Sequence, residues 1–205
     1  HYAVTLSGAS ASQAVAGLSD RNRAIPIIGG INCPNTSVND YDASTVAAHV
    51  DAGGNVVVSR QSTTGTLVVY VSVVEFTGTN WTVAHGRSAA HDSGIETVTL
   101  RTDSTGIGGS VIDLGSWTTA TILEATMEGD TSETGLADCL ALVAPGSNAQ
   151  SVTFSVVEAD GNGRNDGVGY VHVIGNAGLL VTREENTNFP EGNNSYGTTG
   201  FPGGT

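Results

Sequence analysis

The sequence predicts an all-β protein: two tandem, internally duplicated β-sandwich domains, jelly-roll or Ig-like, followed by a Gly-rich C-terminal extension. Three observations lead there. Thr (25 residues) and Val (24) are among the commonest residues, and both are β-branched, suited to a pleated, half-buried surface. Twenty-eight Gly supply the tight turns that many short strands require. The tetrapeptide Ser-Val-Val-Glu occurs at 72–75 and again at 155–158, each time at the end of a β run.

Taken in order, the N-terminal HYAVTLSGASASQAV alternates Tyr2, Val4 and Leu6 against Ala3, Thr5 and Ser7, as a strand with one inward face does. AIPIIGGINCPNTS is an Ile-containing run leading into a polar loop. ASTVAAHV contains good helix formers, yet the turn formers DAGGN follow it, so it reads as a strand. GGNVVVSRQ is a short run flanked by turn formers. TLVVYVSVVEF is apolar at nearly every position, with Leu67, Val69, Val71 and Val73 expected inward and Val68, Tyr70, Val74 and Phe76 on the other face. A strand apolar on both faces calls for cover on both, from a second layer, the other domain or a neighbouring subunit.

The succession then recurs. ATILEATMEGDTSETGLADCLALVAPGSNAQSVTFSVVEA answers the first copy run for run, and GYVHVIG answers NWTVAHG. Such whole-pattern similarity points to internal duplication. IETVTLRT sets Val98 and Leu100 on one face. SVTFSVVE alternates Val152, Phe154 and Val156 with Ser151, Thr153 and Ser155, and GLLVTRE reads as a last short run. The expected modules are 1–90 and 91–183. Residues 184–205 cannot bury enough apolar surface to fold alone. Phe189, Tyr196 and Phe201 in that tail are the candidate assembly residues, spaced to dock into grooves on a neighbour, against the blander reading of a frayed end.

Charge restricts the partners. Seven cationic side chains, all Arg, face twenty carboxylates for a net charge of −13. That surface repels phosphate backbones and anionic lipid, so neither nucleic acid nor a membrane surface is an expected partner. No run approaches the roughly 18 apolar residues of a membrane span. The chain begins at His1, compatible with a processed or partial N-terminus. Cys33 and Cys139 are too few for a disulfide framework; Cys139 alternates with Ala141 and Val143 as a small buried residue, and a bridge between the two stays open.

No segment carries a catalytic or cofactor signature, and no catalytic, cofactor-binding or metal residue is assigned. Glu75 and Glu158 end equivalent runs and read as acceptors for turn amides or an Arg in preference to ligand-binding carboxylates. DGNGRNDG, 160–167, is dense in the oxygens that Ca²⁺ prefers. Arg164 stands at its fifth position and no bidentate Glu follows, so a turn is preferred to calcium. His85 and His172 match across the repeat, one per module, which suggests strand residues and not a zinc cluster. Trp81 reads as a core cap, and Trp81 with Trp117 is thin provision for a sugar-binding face. Asn35, Asn80 and Asn193 begin Asn-x-Ser/Thr triplets of a kind frequent by chance.

The segment GGNVVVSRQSTTGTLVVYVSVVEFTGTNWTVAHG resembles a β-rich repeat of bacteriophage and prophage structural proteins and related bacterial surface proteins. Its pattern is a short β run with Arg, a Thr/Gly turn, a long run ending Val-Val-Glu-Phe, and a Val-x-x-Gly strand. The second half has Ala159 where the first has Phe76. The resemblance implies a β module in a virion or surface appendage and carries over no functional residue. The leading expectation is a non-enzymatic virion protein (tail or head fibre, spike or decoration protein), acting as a homo-oligomer or with other virion proteins. The alternatives are an extracellular surface or filament subunit, with HYAVTLSGASASQAV donated to the next subunit's sheet, and a carbohydrate-binding module.

Overall fold

The computed structural model describes residues 1–33, 45–63, 65–89, 94–129, 141–156 and 167–181. These residues form an all-β protein with twelve strands in four three-stranded antiparallel sheets. The first six are β1 (Tyr2–Leu6), β2 (Ser10–Ala14), β3 (Ala24–Asn32), β4 (Ala47–Val50), β5 (Asn55–Ser59) and β6 (Leu67–Glu75). The next six are β7 (Thr82–Arg87), β8 (Gly94–Thr99), β9 (Ala120–Met127), β10 (Ala141–Pro145), β11 (Ser151–Val156) and β12 (Gly169–Gly175).

The sheets are ordered β1-β6-β3 and β2-β5-β4, then β7-β12-β9 and β10-β11-β8. Advancing every strand number by six turns the first pair of sheets into the second. The duplication is therefore a topological one. In each module only the fourth and fifth strands follow one another within a layer, joined by a hairpin; at every other step the chain crosses to the opposite layer. That winding is of the roll type. Even an irregularity recurs: β3 bulges between Ile28 and Gly30 against β6, and β9 skips Leu123 against β12.

Period-two alternation sets which face is inward. Val4, Leu6, Leu67, Val69 and Val71 from one layer close on Ala48, Val56 and Val58 from the other, with Tyr2 and Cys33 packed at the margin. The second core joins Ala84, Val171, Val173 and Ala120 to Val98, Val152 and Phe154, with Leu100 beyond the end of β8 and Trp117 at its edge. Burying such Val, Leu and Phe side chains is worth roughly 1.5–3 kcal/mol each, which is what these short strands have in place of length.

Several expectations need correcting. The two Ser-Val-Val-Glu copies do not occupy equivalent strands: the first ends β6, while the second begins within β11, whose counterpart is β5. The true counterpart of β6 is β12. The strand β7, inside the span 1–90 expected for the first module, hydrogen-bonds to β12 of the second. HYAVTLSGASASQAV is not a free strand, since β1 pairs with β6 and β2 with β5 of its own module. Residues 178–181 of GLLVTRE form no strand, and Leu180 is exposed. ASTVAAHV and NVVVS, by contrast, are strands at Ala47–Val50 and Asn55–Ser59 as expected.

Candidate functional site at the module junction

The outer face of the β7-β12-β9 sheet is the best-built polar surface of the described residues, and it is buried. His85 and His172 are cross-strand partners on it, both fully buried, flanked along β7 and β12 by Val83, Ile174 and Tyr170. The first module covers it. Ile25 packs with Val83 and Ile174 in a third apolar cluster, bordered by Ile27, Phe76, Trp81 and Leu123. Trp81 thus caps a core, as its sequence context suggested, but the core lies between modules.

The two imidazoles meet edge to face, Nδ1 to Nδ1 at 2.8 Å. Their other nitrogens face backbone carbonyls of the first module: His85 Nε2 lies 3.0 Å from Asn22 O and His172 Nε2 3.1 Å from Ala48 O. A carbonyl only accepts, and two bare nitrogens repel, so the full network calls for three protons on two rings and hence one positive charge. Burial acts the other way. It lowers the pKa of His85, and with the His85 charge beside it lowers that of His172 to about 3. A neutral pair leaves one ring nitrogen facing its carbonyl without a proton, a single charge completes the bonding, and a second charge is expelled.

Around the pair, the edge of the first module is fastened by further side chains. Thr126 Oγ1 accepts from Ala48 N at 3.1 Å and Glu124 Oε1 from Ile28 N at 3.2 Å, while burial raises the Glu124 pKa. Buried Glu128 accepts from Ser59 Oγ and from Gln61 Nε2. Arg21 reaches across to Asp103, its Nη2 2.7 Å from Oδ2. Partial burial opposes the Asp103 charge, but the bonds from Arg21 and Thr105 prevail and bring its pKa to about 2. His49 stacks on Tyr170 at 4.5 Å and 8°, and the Arg87 guanidinium lies 5.6 Å from the centre of the same ring.

Glu75 has the structural place expected of it. Its carboxylate accepts from Ser19 N at 3.1 Å, from Ser19 Oγ and from Asp20 N at 2.7 Å. Burial works against its charge, yet these bonds and nearby Arg23 lower its pKa. They also fasten the loop beside an open depression of about 340 Å³, lined by Val15, Leu18, Arg21, Asn22 and Gly53 among others. Trp117 packs against the second core and donates Nε1–H to Asn148 O at 2.9 Å, so it is no free stacking platform.

His85 and His172, matched across the repeat in the sequence, stand side by side in one sheet. The expectation of one per module is thereby corrected, because β7 belongs with β12. Nothing in the sequence marked Glu124, Glu128 or Asn22, whose roles depend on the neighbouring module. Phe189, Tyr196, Phe201, Glu158, Cys139 and residues 160–166 of the calcium-like loop lie outside the described residues. Among the described residues no group of three or more His, Cys, Asp or Glu is placed to hold a metal ion, and no helix is long and apolar enough to cross a membrane. Comparison with family models, curated proteins and solved structures gave no match for the chain.

Proposed function

We propose that the chain is a non-enzymatic structural component of a bacteriophage particle, a fibre, spike or capsid decoration protein, that works through subunit assembly. The observation that carries the reading is how the junction employs its ionisable residues. His85, His172, Glu124, Glu128, Arg21 and Asp103 bind backbone or side-chain partners across the two modules. Groups spent in this way make a stiff tandem unit, which suits a load-bearing shell or fibre. The resemblance of residues 53–86 to a virion β repeat supports the setting, and the net charge of −13 speaks against nucleic acid as the partner.

The alternative, a secreted filament subunit joined by strand donation, is disfavoured by the internal pairing of β1 and β2. The test is mass spectrometry and immunogold labelling of density-purified particles from an induced culture of the source. A fixed copy number of this chain in the particles supports the proposal. Recovery only from surface appendages of uninfected cells overturns it in favour of the alternative.

A further inference from the structure

We infer that the outer face of the β1-β6-β3 sheet is the docking site for a second copy of this chain, which presents its β9–β10 edge and so repeats between molecules the junction seen within one. The inference rests on reading the chain as an assembly component and names the surface and the partner.

Superposing the modules on their bulges sets up the argument. β3 bulges opposite Tyr70 and Val71, and β9 opposite His172 and Val173. Tyr70 then stands where His172 stands, Val68 where Tyr170 stands, Ser72 where Ile174 stands, and Ala3 of β1 where His85 stands. In the second module this face is covered: Tyr170, His172, Ile174, Val83 and His85 are all buried. In the first module Ala3 and Thr5 are exposed, and so are Tyr70 (50%) and Val74 (39%), on the part of this face that lies beyond Ile25, which the second module already covers.

The covering edge also has a twin. In the first module the edge strand β4 gives its Ala48 carbonyl to His172 and sets His49 on Tyr170. β10 is the corresponding edge of the second module, and the matching hairpin bonds, Asp51 N to Asn55 O and Gly146 N to Ser151 O, fix the register. Val143 takes the place of Ala48, and exposed Ala144 that of His49. In the second copy's complex the Tyr70 hydroxyl donates to the Val143 carbonyl, as His172 does to Ala48, and Val68 meets Ala144. Each molecule has one such face and one such edge, so the contact is heterologous and builds rings or filaments head to tail. The charge of −13 on every copy opposes it, so it strengthens with salt.

The test is sedimentation equilibrium of the full chain over a wide concentration range in about 1 M salt, where the Debye length is about 3 Å. Tyr70→Arg breaks the face and Ala144→Arg the edge; both lower the net negative charge, so lost association cannot come from added repulsion. Ile95→Arg, on an exposed position of the β10-β11-β8 sheet, is the control. Thr5→Arg, exposed on β1 opposite Val68, replaces Tyr70→Arg if that variant melts early. The expected result is association of wild type and Ile95→Arg, at least tenfold weaker association of each of the other variants alone, and a dimer that grows no further when Tyr70→Arg and Ala144→Arg are mixed. A wild type that stays monomeric, or association unchanged in the face variants, overturns the inference. Neither result bears on recovery of the chain from particles, so the two proposals fail separately.

Discussion

His49 lies flat on Tyr170 with its Nδ1 buried and lacking a hydrogen-bond partner. Burial, then the Arg87 charge, lowers its pKa from 6.5 to about 4, against a smaller pull from Asp51. The sign of the pH effect follows. Above 6.5 neither folded nor unfolded chain protonates this ring. Between 6.5 and about 4 the unfolded chain binds a proton that the folded chain refuses, so stability falls as the pH falls. His172, with a pKa of about 3, adds to the same loss. His49→Phe keeps a flat ring on Tyr170, removes the titration and removes the orphaned nitrogen. We expect it to gain roughly 1–2 kcal/mol over wild type at pH 5 beyond any gain at pH 7.5. Urea midpoints at the two pH values measure this, and an equal gain at both would refute the assignment. Although β7 corresponds to β1 and β12 to β6, so that their match across the repeat was false, His85 and His172 were each legible as strand residues. Their contact was not, because spacing along a chain does not say which sheet a strand joins.

Two glycines on neighbouring elements separate packing from backbone freedom. A Cβ on Gly86 in β7 would lie 2.7 Å from Val98 Cγ1 and 2.9 Å from Val171 Cγ1, inside the second core. Gly86→Ala should therefore cost about 1–3 kcal/mol by overpacking. At Gly29, in the β3 bulge, a Cβ meets only Tyr70 O at 3.7 Å, and Gly29→Ala should be neutral or gain about 0.5 kcal/mol by stiffening the unfolded chain. Thermal melts of the two variants check the contrast; a Gly86→Ala change as mild as Gly29→Ala would mean the β7 packing is not tight. Element by element, the inward residues of β1 and β8 were readable because alternation reports the buried face directly; β6 is apolar on both faces, and its alternation alone did not decide. Also readable was the correspondence of AIPIIGG with ATILEAT, now β3 and β9, and of β4 with β10 and the turns after them. Ser-Val-Val-Glu misled because alternating Ser and Val suit any central strand. β6 and β11 are both central, in layers that do not correspond, and the tetrapeptide records a shared environment.

Across the whole molecule, the junction decides whether two modules behave as one. Ile25 belongs to β3 of the first module but is fully buried against Val83 and Ile174 of the second. Its fold-level role was invisible in the sequence, where it was merely one apolar residue of a β3-type run, because the partner surface is assembled from strands more than fifty residues away. With this cluster, the histidine pair and the Glu128 contacts intact, neither module exposes its half of the junction without losing the other's support. Wild type should then unfold in one transition, with calorimetric and van't Hoff enthalpies equal. Ile25→Ala removes the central apolar contact at a cost of about 2–5 kcal/mol. The loss falls on the coupling and on neither of the two main cores, so the melt should broaden and the van't Hoff enthalpy drop below the calorimetric one. A core substitution such as Phe154→Leu serves as the comparison, because Phe154 sits wholly within the second core. It should lower the transition temperature while leaving the transition single. If Ile25→Ala also melts as one sharp transition, the buried polar bonds alone hold the modules together, and the apolar cluster is filler between them.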